Sequence, residues 1–449
     1  MEQKGSPAEL GTGNIPQLLL KYAIPSVIAM TAASLYNITD SIFIGQGVGA
    51  LAISGLAITF PLMNLSAAFG SLVGVGASTL MSLRLGQKDY STANNILGNV
   101  FVLNFILGLT YTIIVLLFLD PILGFFGASS ETLPYAHDFM VIISLGNVIT
   151  HLYFGLNAML RATGNPYKSM YATIFSVIIN VALAPVFIFV FGWGIRGAAL
   201  ATVTAQTTML IWQIMHFTNK SNFIHLHKGS LRLKRKIVLD SLSIGIAPFL
   251  MNSVGSVIVI IINTSLIRYG GDLAVGAYGI INRITFLFVM VVMGFNQGMQ
   301  PIAGYNFGAQ QYDRVNHVLK LTIILATSVV MGGFIIGEFF PRTVASFFTR
   351  EKELIDIVVP GMKIIFMVFP IVGIQMVTSN FFQSIGMPGK AIFMSLSRQV
   401  IFLLPFLLIL PRIYGVNGVW YSMPASDFMA SMVAAYLLVK QYRKYNTSK

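Results

Sequence analysis

The chain has 449 residues, of which 55% are hydrophobic and 10% charged. Soluble domains carry about a quarter charged residues, so this composition belongs to a polytopic membrane protein. There is no cysteine, which excludes disulfides, thiolate metal sites and cysteine nucleophiles. The net charge of +13 does not indicate nucleic acid, because the basic residues sit in short loops between apolar runs, as membrane orientation requires.

The first ten residues are polar and no small-residue cleavage site follows the first apolar run, so the first helix is expected to stay. That helix runs through Pro25 and reads Tyr36-Asn37-Ile38-Thr39-Asp40 near its end. A charge at membrane depth costs at least ~2.5 kcal/mol on insertion scales. Tyr36 and Asn37 lie four and three residues before Asp40 and share its helix face. This grouping reads as a cation- or proton-binding site with Asp40 at its centre. The plainer alternative is an interfacial Asp, since Gly45 follows five residues later. Pro25 removes a backbone hydrogen bond mid-span, so the helix either bends there when Asp40 changes charge or carries a static kink.

Twelve spans are predicted, at about 17–45, 51–82, 93–119, 134–160, 168–191, 197–217, 240–267, 273–303, 314–340, 355–383, 391–411 and 417–440. With the N-terminus inside, twenty of the 28 basic residues fall on the cytoplasmic side. Six fall outside (Arg196, Arg268, Arg342, Arg350, Lys352 and Arg412), while Arg283 and Lys363 lie within spans. Both termini are therefore expected in the cytoplasm.

The two halves repeat. Gly86-Gln-Lys-Asp-Tyr90 after span 2 matches Gly308-Ala-Gln-Gln-Tyr312 after span 8, at an offset of 222. Leu160-Arg-Ala-Thr-Gly164-Asn-Pro166 after span 4 matches Phe382-Gln-Ser-Ile-Gly386-Met-Pro388 after span 10 at the same offset. Gly194 and Gly415 open spans 6 and 12 at an offset of 221. The expected architecture is all-α: an N-lobe at 1–217, a basic cytoplasmic linker at 218–239 and a C-lobe at 240–449. Six spans per lobe give both lobes the same orientation, hence a pseudo-two-fold along the membrane normal with a central site.

The first helix and the repeated loops resemble the multidrug and toxic compound extrusion (MATE) family, in particular its DinF- and MepA-like prokaryotic branch. The resemblance covers nearly the whole chain. It implies a secondary antiporter in a bacterial inner membrane, a monomer that expels amphipathic or cationic drugs in exchange for H+ or Na+. In the DinF-like pattern an N-lobe pocket takes a Pro, a Tyr and an Asp from the first helix, an Asn and an Asp from the fifth and a Thr from the sixth. Here Pro25, Tyr36, Asp40, Asn180 and Thr202 match, but Ala184 replaces the second Asp. NorM-like members carry acidic residues in spans 7, 8 and 10, where this chain has Asn263, Asn282 and Gln375.

Other polar residues within spans have two readings. Asn180 and Thr202 either join Asp40 or serve as interhelical glue worth about 0.6 kcal/mol. Asp427 in span 12 and Arg398 in span 11 are expected to pair, either as a fastener between two helices or as a second polar site in the C-lobe with Arg283 and Gln375. Arg283 is read as deep in span 8, where it either answers a carboxylate or lines the aqueous cavity. The many Met and Phe side chains suit a promiscuous cavity, though most must face lipid or core. His225 and His227 are read as solvated loop residues. No P-loop for ATP is found, so no enzymatic activity and no cofactor are expected and transport is driven by an ion gradient. Sodium would need oxygens from Asp40, Asn180 and Thr202 with backbone carbonyls; a proton needs one carboxylate. A flippase for lipid-linked oligosaccharide shares the wider fold but often carries more than twelve spans or an arginine-lined cavity. A gated pore lacks support in a two-lobe repeat without a filter-like ring.

Overall fold

The structure, a computed structural model, describes residues 8–447. Lys4 and Lys449, counted above for orientation, and the side chains of Asn37 and Lys444 lie outside the described residues. The described elements are all helices, and nine of them are long and apolar enough to cross a membrane. Two bent pairs, Leu133–Leu145 with Asn147–Ala162 and Lys352–Phe366 with Phe369–Ser384, make eleven. The twelfth, Gly194–Thr218, has 25 residues but is diluted by threonines and glutamines along its length. We number these spans 1 to 12 in chain order: Ile15–Gly47, Ala50–Gly86, Tyr90–Leu117, the first bent pair, Pro166–Val190, Gly194–Thr218, Arg235–Gly271, Leu273–Gly308, Tyr312–Phe339, the second bent pair, Pro388–Tyr414 and Val416–Thr447.

Spans 4 and 10, expected as single helices, are each bent by 54°. The causes differ. Pro370 sits in the first turn of the second half of span 10, where it cannot donate to the preceding turn. In span 4 the break falls at Gly146, which lies against Val203 of span 6 so closely that a Cβ would meet its Cγ2 at 2.4 Å.

The repeat is written into the backbone. The only non-glycine residues with positive φ among those described are Lys88 and Gln310, both at 59° and 222 residues apart. Gly49 and Gly271, at φ 115° and 70°, separate spans 1 from 2 and 7 from 8 at the same offset. A side chain in this left-handed region costs roughly 1–2 kcal/mol, so its recurrence at matched positions marks one loop design used twice. Spans 5 and 11 each contain a π-helical stretch, Val186–Val190 and Ser397–Leu403.

Contacts divide the described residues into two compact units: 8–13 with 28–249, and 14–27 with 250–447. The first turns of spans 1 and 7 are thus exchanged between the repeats. Within the first unit, Gly76 of span 2 meets Ser241 of span 7, and Gly245 meets Leu72; a Cβ on either glycine would reach a backbone oxygen at 2.0 and 1.7 Å. The second unit repeats this crossing with Gly294 against Val27 and Gly298 against Ala23, where added Cβ atoms would lie 2.7 Å from backbone Cα atoms. Each exchanged helix changes unit within two residues of a proline, Pro25 or Pro248.

The basic linker is fastened rather than loose. Asn99 of span 3, 2% exposed, donates to the carbonyls of Ser230 and Arg232 and accepts from the Lys234 amide at 2.8 Å. Asn94 accepts from the His225 amide at 3.0 Å. Ser230 is wholly buried in a 3-10 turn, Lys228–Leu231. This corrects the expectation of a solvated His225, which is half-buried with its ring on the Asn222 carbonyl, whereas His227 is exposed.

Candidate functional site

Span 1 brings Tyr36 and Asp40 onto one face one turn apart, and spans 5 and 6 complete the site from within the same unit. Asp40 is only 7% exposed and its Oδ1 has no hydrogen-bond partner among the described residues. Thr202 Oγ1 lies 2.7 Å from the Tyr36 hydroxyl, accepts from Asn180 Nδ2 at 3.0 Å and donates to the Ala198 carbonyl at 3.2 Å. A hydroxyl has one proton, and Thr202 spends it on Ala198, so Tyr36 must donate to Thr202. The Tyr36 and Thr202 protons and one Asn180 N–H are then used within the protein. Three acceptors remain open, the Tyr36 oxygen, Asn180 Oδ1 and the Asp40 carboxylate, against one remaining Asn180 N–H. Such a set attracts a proton or a small cation.

The apolar wall explains why only one carboxylate sits here. Ala184, where the family pattern has a second Asp, is fully buried and packs with Ile44, Leu56, Ile188 and Ala198 in the core of this unit. A second acid would need room and counter-charge this core does not offer. Among the described residues no group of three or more acidic, His or Cys side chains could hold a metal ion.

Pro25 lies inside span 1, buried in the exchanged segment, and its helix continues through it without a break in assignment. In the second unit Arg398 Nε meets Asp427 Oδ1 at 2.5 Å; the Asp side chain is 9% exposed and the Arg 37%. Gln375 is buried in the second half of span 10. Arg283 is exposed and forms no ion pair among the described residues, so of its two readings the carboxylate partner is not seen and it does not join the Asp427 pair. Residues on a long helix alternate between faces every few positions, and depth along the sequence does not say which face a side chain takes.

One buried polar cluster was missed by sequence reasoning. Ser66 of span 2 donates to Asn147 Oδ1 at 2.5 Å and lies 3.1 Å from His151 Nε2 on span 4. Both span 4 residues are 1% exposed, and Asn147 Nδ2 and His151 Nδ1 have no partner among the described residues. The signal was present as an Asn and a His one turn apart in an apolar run.

The apolar helices in two repeats, with a buried acid beside oxygen acceptors in the first unit, define a polytopic membrane fold of transporter type. The chain belongs to the MatE family, whose family model matches residues 25–186 and 247–409. It is 26% identical to a multidrug export protein MepA of Staphylococcus haemolyticus over 97% of this chain and 96% of that protein. A MepA of Staphylococcus aureus is 27% identical over 94% and 93%. A solved MATE in the bent conformation superposes with a TM-score of 0.93 at 23% identity, covering 98% of both chains, which establishes the shared fold.

Proposed function

We propose that this protein is a secondary active multidrug efflux antiporter of the bacterial cytoplasmic membrane. It exports amphipathic or cationic small molecules in exchange for H+, or for Na+, by alternating access. The observation that carries this reading is Asp40: a carboxylate 7% exposed, with Oδ1 open, one turn from the Tyr36 hydroxyl that bonds to Thr202. Similarity to the MepA exporters supports the drug-like substrate class.

The mechanism follows from the hydrogen-bond arithmetic. An uncompensated carboxylate buried in apolar surroundings is costly, so it draws in a cation or a proton. With the cavity outward, Asp40 takes the ion and becomes neutral. Spans 1, 5 and 6, joined through Tyr36, Asn180 and Thr202, then close the space that held the drug. The two lobes, 1–217 and 240–449, rock about the linker 218–239, the ion leaves inward and a new drug binds. Pro25 supplies the weak point in span 1 where this bend is absorbed, next to the residue where the helix changes unit. A proton requires only Asp40, whereas sodium would draw on Asn180 and Tyr36 oxygens as well; the single carboxylate favours the proton. Asp427, already neutralised by Arg398, fastens spans 11 and 12, and Gln375 and Arg283 are assigned no ion. Both termini face the cytoplasm, the protein acts as a monomer, and no cofactor takes part.

The test is Asp40→Asn in everted vesicles with a fluorescent cationic dye and a pH or sodium gradient imposed separately. The asparagine keeps the volume and removes the charge. Ion-driven dye transport is expected to vanish while the protein stays in the membrane; transport at the wild-type rate would refute the coupling role.

A further inference from the structure

The second unit carries a cavity of about 790 Å³ that the transport mechanism does not use. It lies between the N-terminal turns of span 9 and the C-terminal turns of span 12, among the basic residues of that end of the bundle. We propose that it binds an anionic phospholipid, with the headgroup phosphate on Lys320 and Gln441 and the acyl chains along Ile323, Ile324, Leu438 and Val439.

The polar wall holds Asp313, His317, Lys320, Gln441 and Arg443. Two cations face one carboxylate, so the wall is net positive with neutral histidine. Asp313 and Arg443 each already have a partner. Gln441 is the decisive group. It is 2% exposed, its Oε1 accepts from Lys390 Nζ at 2.5 Å, and its Nε2 has no partner among the described residues. Lys390 can only donate, so it fixes the amide with the acceptor toward itself and leaves the N–H groups over. A buried N–H without an acceptor is costly, and a phosphate oxygen is the acceptor that also answers Lys320.

The apolar wall points to a lipid rather than a soluble anion. Ile324 is 50% exposed and Val439 53%, so the cavity is edged by aliphatic side chains open to the outer surface of the helices. In a bilayer that surface is covered by acyl chains. Cations at the ends of spans sit at headgroup level, where they attract anionic lipid. A phospholipid therefore fills both walls at once.

The experiment uses the full chain, purified in detergent and delipidated. Its melting temperature is followed while titrating phosphatidylglycerol, phosphatidylcholine with the same chains, or inorganic phosphate. Phosphatidylglycerol is expected to raise the melting temperature saturably and the other two are not. Lys320→Gln and Gln441→Glu should each weaken the apparent affinity by about tenfold, the loss of one charge-assisted contact. The glutamate keeps an acceptor for Lys390, so its effect is not that of a broken bond. Lys320 is exposed, which makes its variant a fair test even if Gln441→Glu fails to fold. Lys220→Gln, in the linker of the first unit, should leave the affinity unchanged. Equal shifts with the two lipids, a full shift with phosphate alone, or wild-type affinity in Lys320→Gln would overturn the proposal.

Discussion

The first and second units share a backbone and differ in what they bury. Both have the left-handed residue after their second helix, the 54° bend in their fourth and the close crossing at Gly76 or Gly298. Yet the positions 222 residues after Tyr36 and Asp40 are Ile258 and Ile262, 5% and 3% exposed. The second unit's own buried acid, Asp427, is closed by Arg398. One repeat thus keeps an acid open and the other keeps its acid paired. Loop geometry and helix crossings must be kept in both repeats for both halves to fold, while an open polar pocket needs to be built only once.

Variants in each of the two units sharpen this comparison. The largest effect is expected where backbones touch. Gly245→Val places atoms inside the Leu72 carbonyl, and Gly298→Val does the same against Ala23, with more room. Monodisperse protein on fluorescence-detected size exclusion should be lost for the first and reduced for the second; normal yields of Gly245→Val would mean that the exchanged helix starts do not pack this way. Next comes the closed acid. A double-mutant cycle on Asp427→Asn and Arg398→Met should give a coupling of about 1–2 kcal/mol in thermal unfolding, because the arginine is partly exposed. The same cycle should leave ion-driven efflux largely intact, in contrast with Asp40.

Removal of the linker clamp should be felt only in the first unit. Asn99→Ala strips three hydrogen bonds to the linker and should cost about 1–3 kcal/mol, with faster amide exchange over 226–234 and no change in span 9. The smallest effect separates the two matched loops. Asp89 caps span 3 by accepting from the Thr92 amide at 3.1 Å, whereas Gln311 caps span 9 with no side-chain bond. Asp89→Ala should cost about 1 kcal/mol and Gln311→Asp should gain somewhat less. The Thr92 side chain and amide hold the Asp89 carboxyl below its usual range. Its contribution is therefore present at neutral pH and lost as pH falls through that lowered value, so the cost of Asp89→Ala should shrink in strong acid.

Much of this architecture was legible in the sequence because it is periodic. Twelve apolar runs, two matched loop pairs and the offset of 222 follow from residue order alone, and Lys88 and Gln310 fall where that offset puts them. The joining of Tyr36, Asn180 and Thr202 was expected from family resemblance, and the residues do meet. What could not be read was lateral. Arg283 has a sequence depth but no sequence-visible face, so its exposure came only from packing. The exchange of helix starts depends on which glycines face which backbones. The clamp by Asn99 joins residues more than 130 positions apart through backbone carbonyls, which carry no side-chain signature. His151 was hidden for the same reason: its partner Ser66 lies on another helix.

The central claim is that drug and ion compete through Asp40. If they do, linkage requires that drug binding expel the ion as firmly as the ion expels drug. The direct measurement is ion release when a cationic drug is added to purified protein in weak buffer, read with a pH indicator or with radioactive sodium. Wild-type protein should release about one ion per drug bound and Asp40→Asn none, though it still binds drug. Equal release from both proteins would contradict the account.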